Sequence, residues 1–190
     1  IMFVLVENDL ITKTVNSHKG ITIDENQYPQ SIYSLWTPAE REAIGIYEVV
    51  YDNTNKKDKA YYNNTNQSFN FADGKVTASY GAATAKSLDD TTDDQGNVIP
   101  GLKSHHTEKV KKQAGSLLNP TDWHVVKATE VDSYSVSAEM TTYRAEVRTA
   151  SNDMEALIDA SSTVDELAAL YVYNKDNPPV RPLGEFPEAV

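Results

Sequence analysis

The chain has no cysteine. Disulfides, thiolate zinc sites and cysteine nucleophiles are therefore excluded, and folding in a reducing cytoplasm fits this usage. Long apolar runs are missing as well. The opening IMFVLV stops at Glu7, far short of the roughly 20 residues a membrane span needs. It also lacks the basic start and small-residue cleavage site of a signal peptide. Phe3, Val4, Leu5 and Val6 predict a buried strand instead. Positive charge is scarce: 17 Lys and Arg stand against 28 Asp and Glu, a formal net charge of −11. Such a chain lacks the clustered cations that neutralise phosphates and is repelled by an anionic bilayer, so neither nucleic acid nor membrane is expected as a partner. No P-loop, G-x-G-x-x-G or G-x-S-x-G pattern occurs, and no internal repeat is visible.

What is present divides the 190 residues into segments of different character. Residues 1–80 read as a small antiparallel β module with one short helix. Strands are expected over 2–7 and LITKTV, joined by a turn at Asn8-Asp9. Residues 16–31 are polar and read as loop. Thr37, Pro38 and Glu40 form a capping-box signature for a short helix that Gly45 ends. IYEVVYD, AYYNN, QSFNFADG and KVTASYG read as strands, with DNTNKKDKA as a polar hairpin-type turn after the first, Phe69 and Phe71 on one face and Asp73-Gly74 as a hairpin turn. Most of the eleven tyrosines lie here among polar neighbours, a composition common on exposed sheets and interfaces.

Residues 81–103 are small, acidic and rich in turn formers, and predict a linker or exposed loop. Residues 104–173 predict a helical domain built on a helical hairpin. Val110, Ala114, Leu117 and Leu118 form one apolar stripe; Val136, Met140, Tyr143, Val147, Met154, Leu157 and Ile158 form another. Ser137 is placed to cap the second helix, and Thr163 with Glu166 opens a third as TVDELAALYVY. Residues 174–190 carry Pro178, Pro179, Pro182 and Pro187 and predict an extended tail. The fold class is therefore α+β.

Candidate sites are few. His105 and His106 are neighbours, so on a helix they point about 100° apart and cannot face one ion. Glu108 adds only half a site, and the bland reading is two solvated residues near a helix start. His18 and His124 have no ligand-like spacing. Asp89, Asp90, Asp93, Asp94 and Gly96 suggest a calcium loop, but Thr91 falls at the first ligand position of the EF-hand order. A solvated acidic loop is the reading, with weak calcium binding as its alternative. No acid lies isolated in an apolar run, as a hydrolytic pair would require. Asn63-Asn64-Thr65 and Asn66-Gln67-Ser68 match the glycosylation pattern by chance. No catalytic residue, cofactor or metal is expected.

The stretch LLNPTDWHVV raises a structural question instead. Trp123 is expected as a buried wedge at the elbow of two helices, with Asp122 capping the segment it opens and Tyr143 packing beneath the indole. A buried ring of that size would cost roughly 3–5 kcal/mol to remove. Arg144 and Arg148, four apart, read either as a solvated face salt-bridged to Glu146 and Glu155 or as a face turned toward a partner.

LLNPTDW followed by TYRAEVR resembles the L-L-x-x-[ST]-D-W … Y-R-x-x-[LV]-R pattern of the tail assembly chaperones and tail-fibre assembly proteins of tailed bacteriophages. The matching positions are Leu117, Leu118, Thr121, Asp122, Trp123, Tyr143, Arg144, Val147 and Arg148, within about a quarter of the chain. NVIPGLKS, QAGSLL, ALYVY, PLGEFP and the opening MFVLVENDLI … PAEREAIGIYEV are similar to structural and tail proteins of marine phages, those of cyanobacteria especially. The resemblance implies a non-catalytic structural protein of a phage tail, located in the virion after synthesis in the host cytoplasm. Its partners would be other tail proteins (fibre, baseplate or tube) in a symmetric assembly. The alternatives are an assembly chaperone that leaves before the particle matures and a glycan-binding fibre module with the Tyr-rich sheet as its contact surface.

Overall fold

Four successive residues, Phe3 to Val6, are buried, which a strand achieves only when both its faces are covered. The computed structural model describes residues 1–15 and 17–189. It is a mixed α+β structure in two compact units, Ile1–Thr84 and Ala85–Val190.

The strands of the first unit are β1 (Phe3–Glu7), β2 (Leu10–Val15), β3 (Ile21–Ile23), β4 (Asn26–Tyr28), β5 (Ile46–Asp52), β6 (Tyr62–Asn63), β7 (Gln67–Ala72) and β8 (Lys75–Tyr80); the two-residue β9 (Thr84–Ala85) follows. Five of them form one sheet in the order β2-β1-β5-β8-β7. Strands β2 and β7 at its two edges approach each other, curling the sheet into a half-barrel. Alternation along β1 feeds two cores. Phe3 and Leu5 join Val15, Ile21, Ile32 and Ile46 on one side, while Val4 and Val6 join Val49, Val76 and Ala78 on the other.

Both expected hairpin turns form. Asn8 and Asp9 have φ of 51° and 61°, and Asp73 and Gly74 have 50° and 69°, the paired positive values of a type I′ turn. Gly45, at φ 81°, ends the second helix where β1 bulges: Val6 donates its N–H to the Gly45 carbonyl at 2.8 Å, and a Cβ on Gly45 would sit 2.6 Å from the Val6 carbonyl oxygen. Thr37 and Glu40 complete the capping box of α2 (Pro38–Glu42), which α1 (Ile32–Leu35) precedes. Arg41 on α2 is buried, with its guanidinium 5.2 Å from the centre of the Phe3 ring and donating to the Trp36 carbonyl.

Three expectations for this unit are corrected. The sheet is mixed, because β5 and β8 run parallel. Parallel neighbours need a crossover of a dozen or more residues, and the polar segment after β5 together with β7 supplies it. Two helical turns stand where one was expected. The segment 16–31, of which Asn16 lies outside the described residues, contains the β3–β4 hairpin, whose Ile21 is buried.

In the second unit, β10 (Thr91–Thr92) and β11 (Val98–Ile99) form a hairpin ahead of α3 (Leu102–Leu118). A 3-10 turn at Asn119–Thr121 leads to α4 (Asp122–Glu130), then come α5 (Ala138–Ala160) and α6 (Val164–Ala169). Helices α3 and α5 pack on each other through Val147, Ala114 and Tyr143, with Leu117, Leu118, Met140 and Phe186 at the margin. Ser137 caps α5 by accepting from the Met140 N–H at 3.1 Å, and Thr163 caps α6 from Glu166 at 3.1 Å. Helix α6 stops at Ala169, earlier than its apolar pattern suggests.

The acidic segment expected as a linker is instead part of this unit. Gly101, the N-cap of α3, has no side chain to offer, and Asp90 supplies the missing acceptor by taking the Gly101 N–H at 2.8 Å. Hydrogen bonds from Ser104 and then Gly101 hold the Asp90 carboxyl below its ordinary range. The placement is favourable because a helix start carries unpaired donors and partial positive charge. Asp89 pairs with Lys103 at 3.0 Å, and Asp93 closes the hairpin tip by accepting from Asn97 and Gln95. The tail, of which Val190 lies outside the described residues, is likewise not free: Leu183 is buried, donates its N–H to the Leu170 carbonyl at 3.0 Å, and is followed by Phe186 at the α3–α5 core. Apolar side chains between the prolines draw it back onto the helices.

Candidate functional site

Arg144 lies on α5, one residue past the core tyrosine Tyr143, so its side chain starts at the edge of the α3–α5 contact. It is 8% exposed. A buried guanidinium must spend its donors on acceptors nearby, and three are present. It donates to the Leu118 carbonyl at 3.2 Å, to the Thr121 hydroxyl, and to the Asp122 carboxylate at 2.8 Å. Leu118 closes α3, Thr121 closes the 3-10 turn and Asp122 opens α4. One side chain thus satisfies the orphan carbonyl at a helix end and fixes the direction in which the next helix leaves. Thr121 is itself buried and also donates to the Leu118 carbonyl. Arg148 donates to the Arg144 carbonyl at 3.1 Å.

Most of the residues singled out in the sequence therefore meet. Leu117, Leu118, Tyr143 and Val147 form the apolar side of the elbow, and Thr121, Asp122 and Arg144 form its polar side. Trp123 does not join them. Its ring is 53% exposed and stacks on His124, with ring centres 3.7 Å apart. The buried-wedge expectation is overturned. Asp122 and Trp123 are consecutive on a helix and so point about 100° apart; turning Asp122 toward Arg144 turns the indole outward. Asp122 is not a cap either, since α4 begins on it and its carboxylate belongs to the ion pair. Tyr143 packs against Ala114 and Val147 rather than under Trp123, and Arg144 faces inward rather than toward a partner.

The outward side of the elbow is a second constellation. Helix α4 has no buried residue although it carries Trp123, Val125 and Val126, the last 52% exposed. Tyr134, in the loop after α4, hydrogen-bonds to His124 Nδ1. The Lys127 ammonium stands 5.7 Å from the Trp123 ring centre and 4.5 Å from that of Tyr134, a cation–π arrangement that steadies the exposed rings. An exposed Trp123 and Val126 beside the half-buried Tyr134 give the composition of an interaction surface.

The histidine reading is corrected at one position. His105 is exposed, but His106 is buried on α3, with its ring centre 4.7 Å from that of Tyr171. Burial, then the nearby Lys109 and His105, pull its pKa below the ordinary value. A signal was available: Leu102, His106, Val110 and Ala114 are spaced by four, one face of a helix. Among the described residues no group of three His, Asp or Glu side chains is placed to hold a metal ion, and no helix is long and apolar enough to cross a membrane.

The chain matches no protein-family profile, no curated protein and no solved structure.

Proposed function

We propose that this protein is a non-catalytic structural component of a bacteriophage tail that attaches or supports fibre or baseplate proteins in the virion. Helices α3 and α5 act as a helical hairpin whose elbow presents a docking face to another tail protein. The observation that carries the reading is the exposed apolar face of α4, held at a fixed angle by Arg144. Covering Trp123 and Val126, three residues apart and on one side of α4, on a partner would remove apolar surface from water at about 25 cal/mol per Å², and Trp and Tyr are the usual energetic centres of such contacts. The likeness of the LLNPTDW … TYRAEVR residues to tail assembly proteins supports the same assignment, since those residues, Trp123 apart, build the elbow.

Mass spectrometry of purified virions is the test. Presence of the chain in the particle at defined stoichiometry is expected; absence from the particle rejects the reading. Absence combined with co-purification of a fibre protein from infected cells would favour the assembly chaperone. A glycan-binding module would draw on the Trp123–Tyr134–Lys127 cluster in place of the Tyr-rich sheet expected from the sequence, because sugar rings stack on exposed indoles. Retention of the full chain on a glycan array, lost in Trp123→Ala, would favour that reading.

A further inference from the structure

The long helix α5 is covered by α3 on one side only. On its other side Ala145, Thr149 and Ala150 form the floor of an open groove of about 620 Å³, walled by Phe186 and Pro187 of the returning tail. Small side chains let another backbone come close, within the 8–10 Å typical of packed helices. Three carboxylates line the same groove; Glu185 is paired with Arg181, while Glu146 and Asp153 are seven residues apart on α5 and so share one face. Neither has an ion-pair partner among the described residues. The groove is therefore shaped for a helix and charged for a basic one.

The chain contains such a helix. Helix α3 carries four lysines and one glutamate, whereas α5 carries five carboxylates and two arginines. Lys103 and Lys111 are engaged by Asp89 and Glu155. Lys109 and Lys112 are exposed on the outer side of α3 and have no carboxylate partner among the described residues. Gly115 lies three residues beyond Lys112, on the same side, and a Cβ there would meet nothing within 4 Å. A glycine inside a helix costs about 1 kcal/mol relative to alanine, and no neighbour in its own chain uses the space it leaves. A smooth, basic ridge with a bare backbone on one surface thus matches an acidic groove with a small-residue floor on another.

We infer that the occupant of the groove is a second copy of this chain. The ridge Lys109–Lys112–Gly115 of one copy seats against Ala145, Thr149 and Phe186 of the next, and its lysines meet Glu146 and Asp153. The contact joins two different surfaces, so it is heterologous: successive copies close into a ring or extend as a filament. Opposite charges at the contact overcome the repulsion between molecules that each carry −11. The inference is independent of the tail reading: the absence of the chain from virions would leave it standing.

Sedimentation velocity on the full chain through the micromolar range tests it. The wild type is expected to associate at low salt and to dissociate as salt screens the contact. Lys109→Glu/Lys112→Glu spoils only the ridge, and Ala145→Trp fills only the groove. Each variant alone is expected to sediment as a monomer, while their equimolar mixture forms dimers and nothing larger, because one intact ridge meets one intact groove. Gly115→Ala guards against misfolding as an explanation: it is expected to raise Tm and yet weaken association about tenfold in Kd. A monomeric wild type, association that survives either blocked variant, a mixture that stays monomeric, or a Gly115→Ala protein that associates as well as wild type would overturn the inference.

Discussion

Arg144→Ala is the perturbation that most directly questions the elbow. The guanidinium is 8% exposed and donates to three acceptors from three consecutive elements. Hydrogen bonds to a charged group contribute about 1.5–3 kcal/mol each when buried, but the three here share one side chain and are not additive. The Asp122 carboxylate is half exposed, so its ion pair adds at most about 1 kcal/mol after solvent screening. The larger loss is at Thr121, whose buried hydroxyl oxygen would be left short of a donor, while the half-buried Leu118 carbonyl keeps the Thr121 hydroxyl. Together these give a destabilisation of about 3 kcal/mol, or roughly 12–15 °C in Tm for a unit of about 100 residues. Arg144→Lys should lose most of the same amount, because an ammonium cannot span the fork. The control is Trp123→Ala. An indole 53% exposed and resting on its own neighbours should cost only about 1 kcal/mol, against the 3–5 expected of a buried wedge. Thermal melts followed by far-ultraviolet circular dichroism decide between them. If Trp123→Ala proves the more damaging change, or Arg144→Ala melts with the wild type, the account of the elbow fails.

Three further changes follow from the structure. Gly45→Ala should destabilise the first unit by about 2 kcal/mol or more, since it places a side chain at φ 81° and 2.6 Å from the Val6 carbonyl oxygen; chemical denaturation would show it. Leu183→Ala should cost about 2–3 kcal/mol as a buried large-to-small change, and should expose the segment after Tyr173 to limited proteolysis, whereas a freely extended tail would be cut equally in both proteins. Burial, then the nearby Lys109 and His105, disfavour the charged form of His106 in the folded state. With its folded pKa depressed below the unfolded value near 6.5, its contribution to stability is full above that value and is lost as pH falls below it. His106→Phe should therefore flatten the decline of Tm on acidification, and an unchanged pH profile would contradict the burial.

Local signals were legible wherever chemistry and geometry coincide within a few residues. Asn8-Asp9 and Asp73-Gly74 announce their turns because few residues tolerate positive φ, and Thr37–Glu40 and Thr163–Glu166 announce helix starts because each supplies its own acceptor. What stayed hidden depends on residues distant in sequence. The parallel pairing of β5 with β8 cannot be read from either strand, since alternation looks the same in both directions. Asp90 looks solvated until α3 is found to begin on a glycine that needs an acceptor. His106 was hidden by its residue type, although the spacing of Leu102, Val110 and Ala114 marks the buried face it shares. The tail reads as extended because proline dominates its composition, yet Leu183 and Phe186 decide where it goes.

The elbow separates two roles that the sequence presents as one motif. Leu117, Leu118, Thr121, Asp122, Tyr143, Arg144 and Val147 converge, and their cost of removal lies in folding. Trp123 sits among them in the chain and outside them in space, because a helix that aims Asp122 inward must aim its successor elsewhere. If the exposed indole is a docking residue, the two classes of variant should part. Arg144→Ala should lower both Tm and incorporation into particles, since a loosened elbow misdirects α4 as well as destabilising it. Trp123→Ala should lower Tm by only about 5 °C and still reduce incorporation by the tenfold or more that corresponds to a lost contact of about 1.4 kcal/mol. Complementation of a phage lacking the wild-type protein, read by quantitative mass spectrometry of the particles, measures both effects at once. Full incorporation of the Trp123→Ala protein would deprive the α4 face of its role.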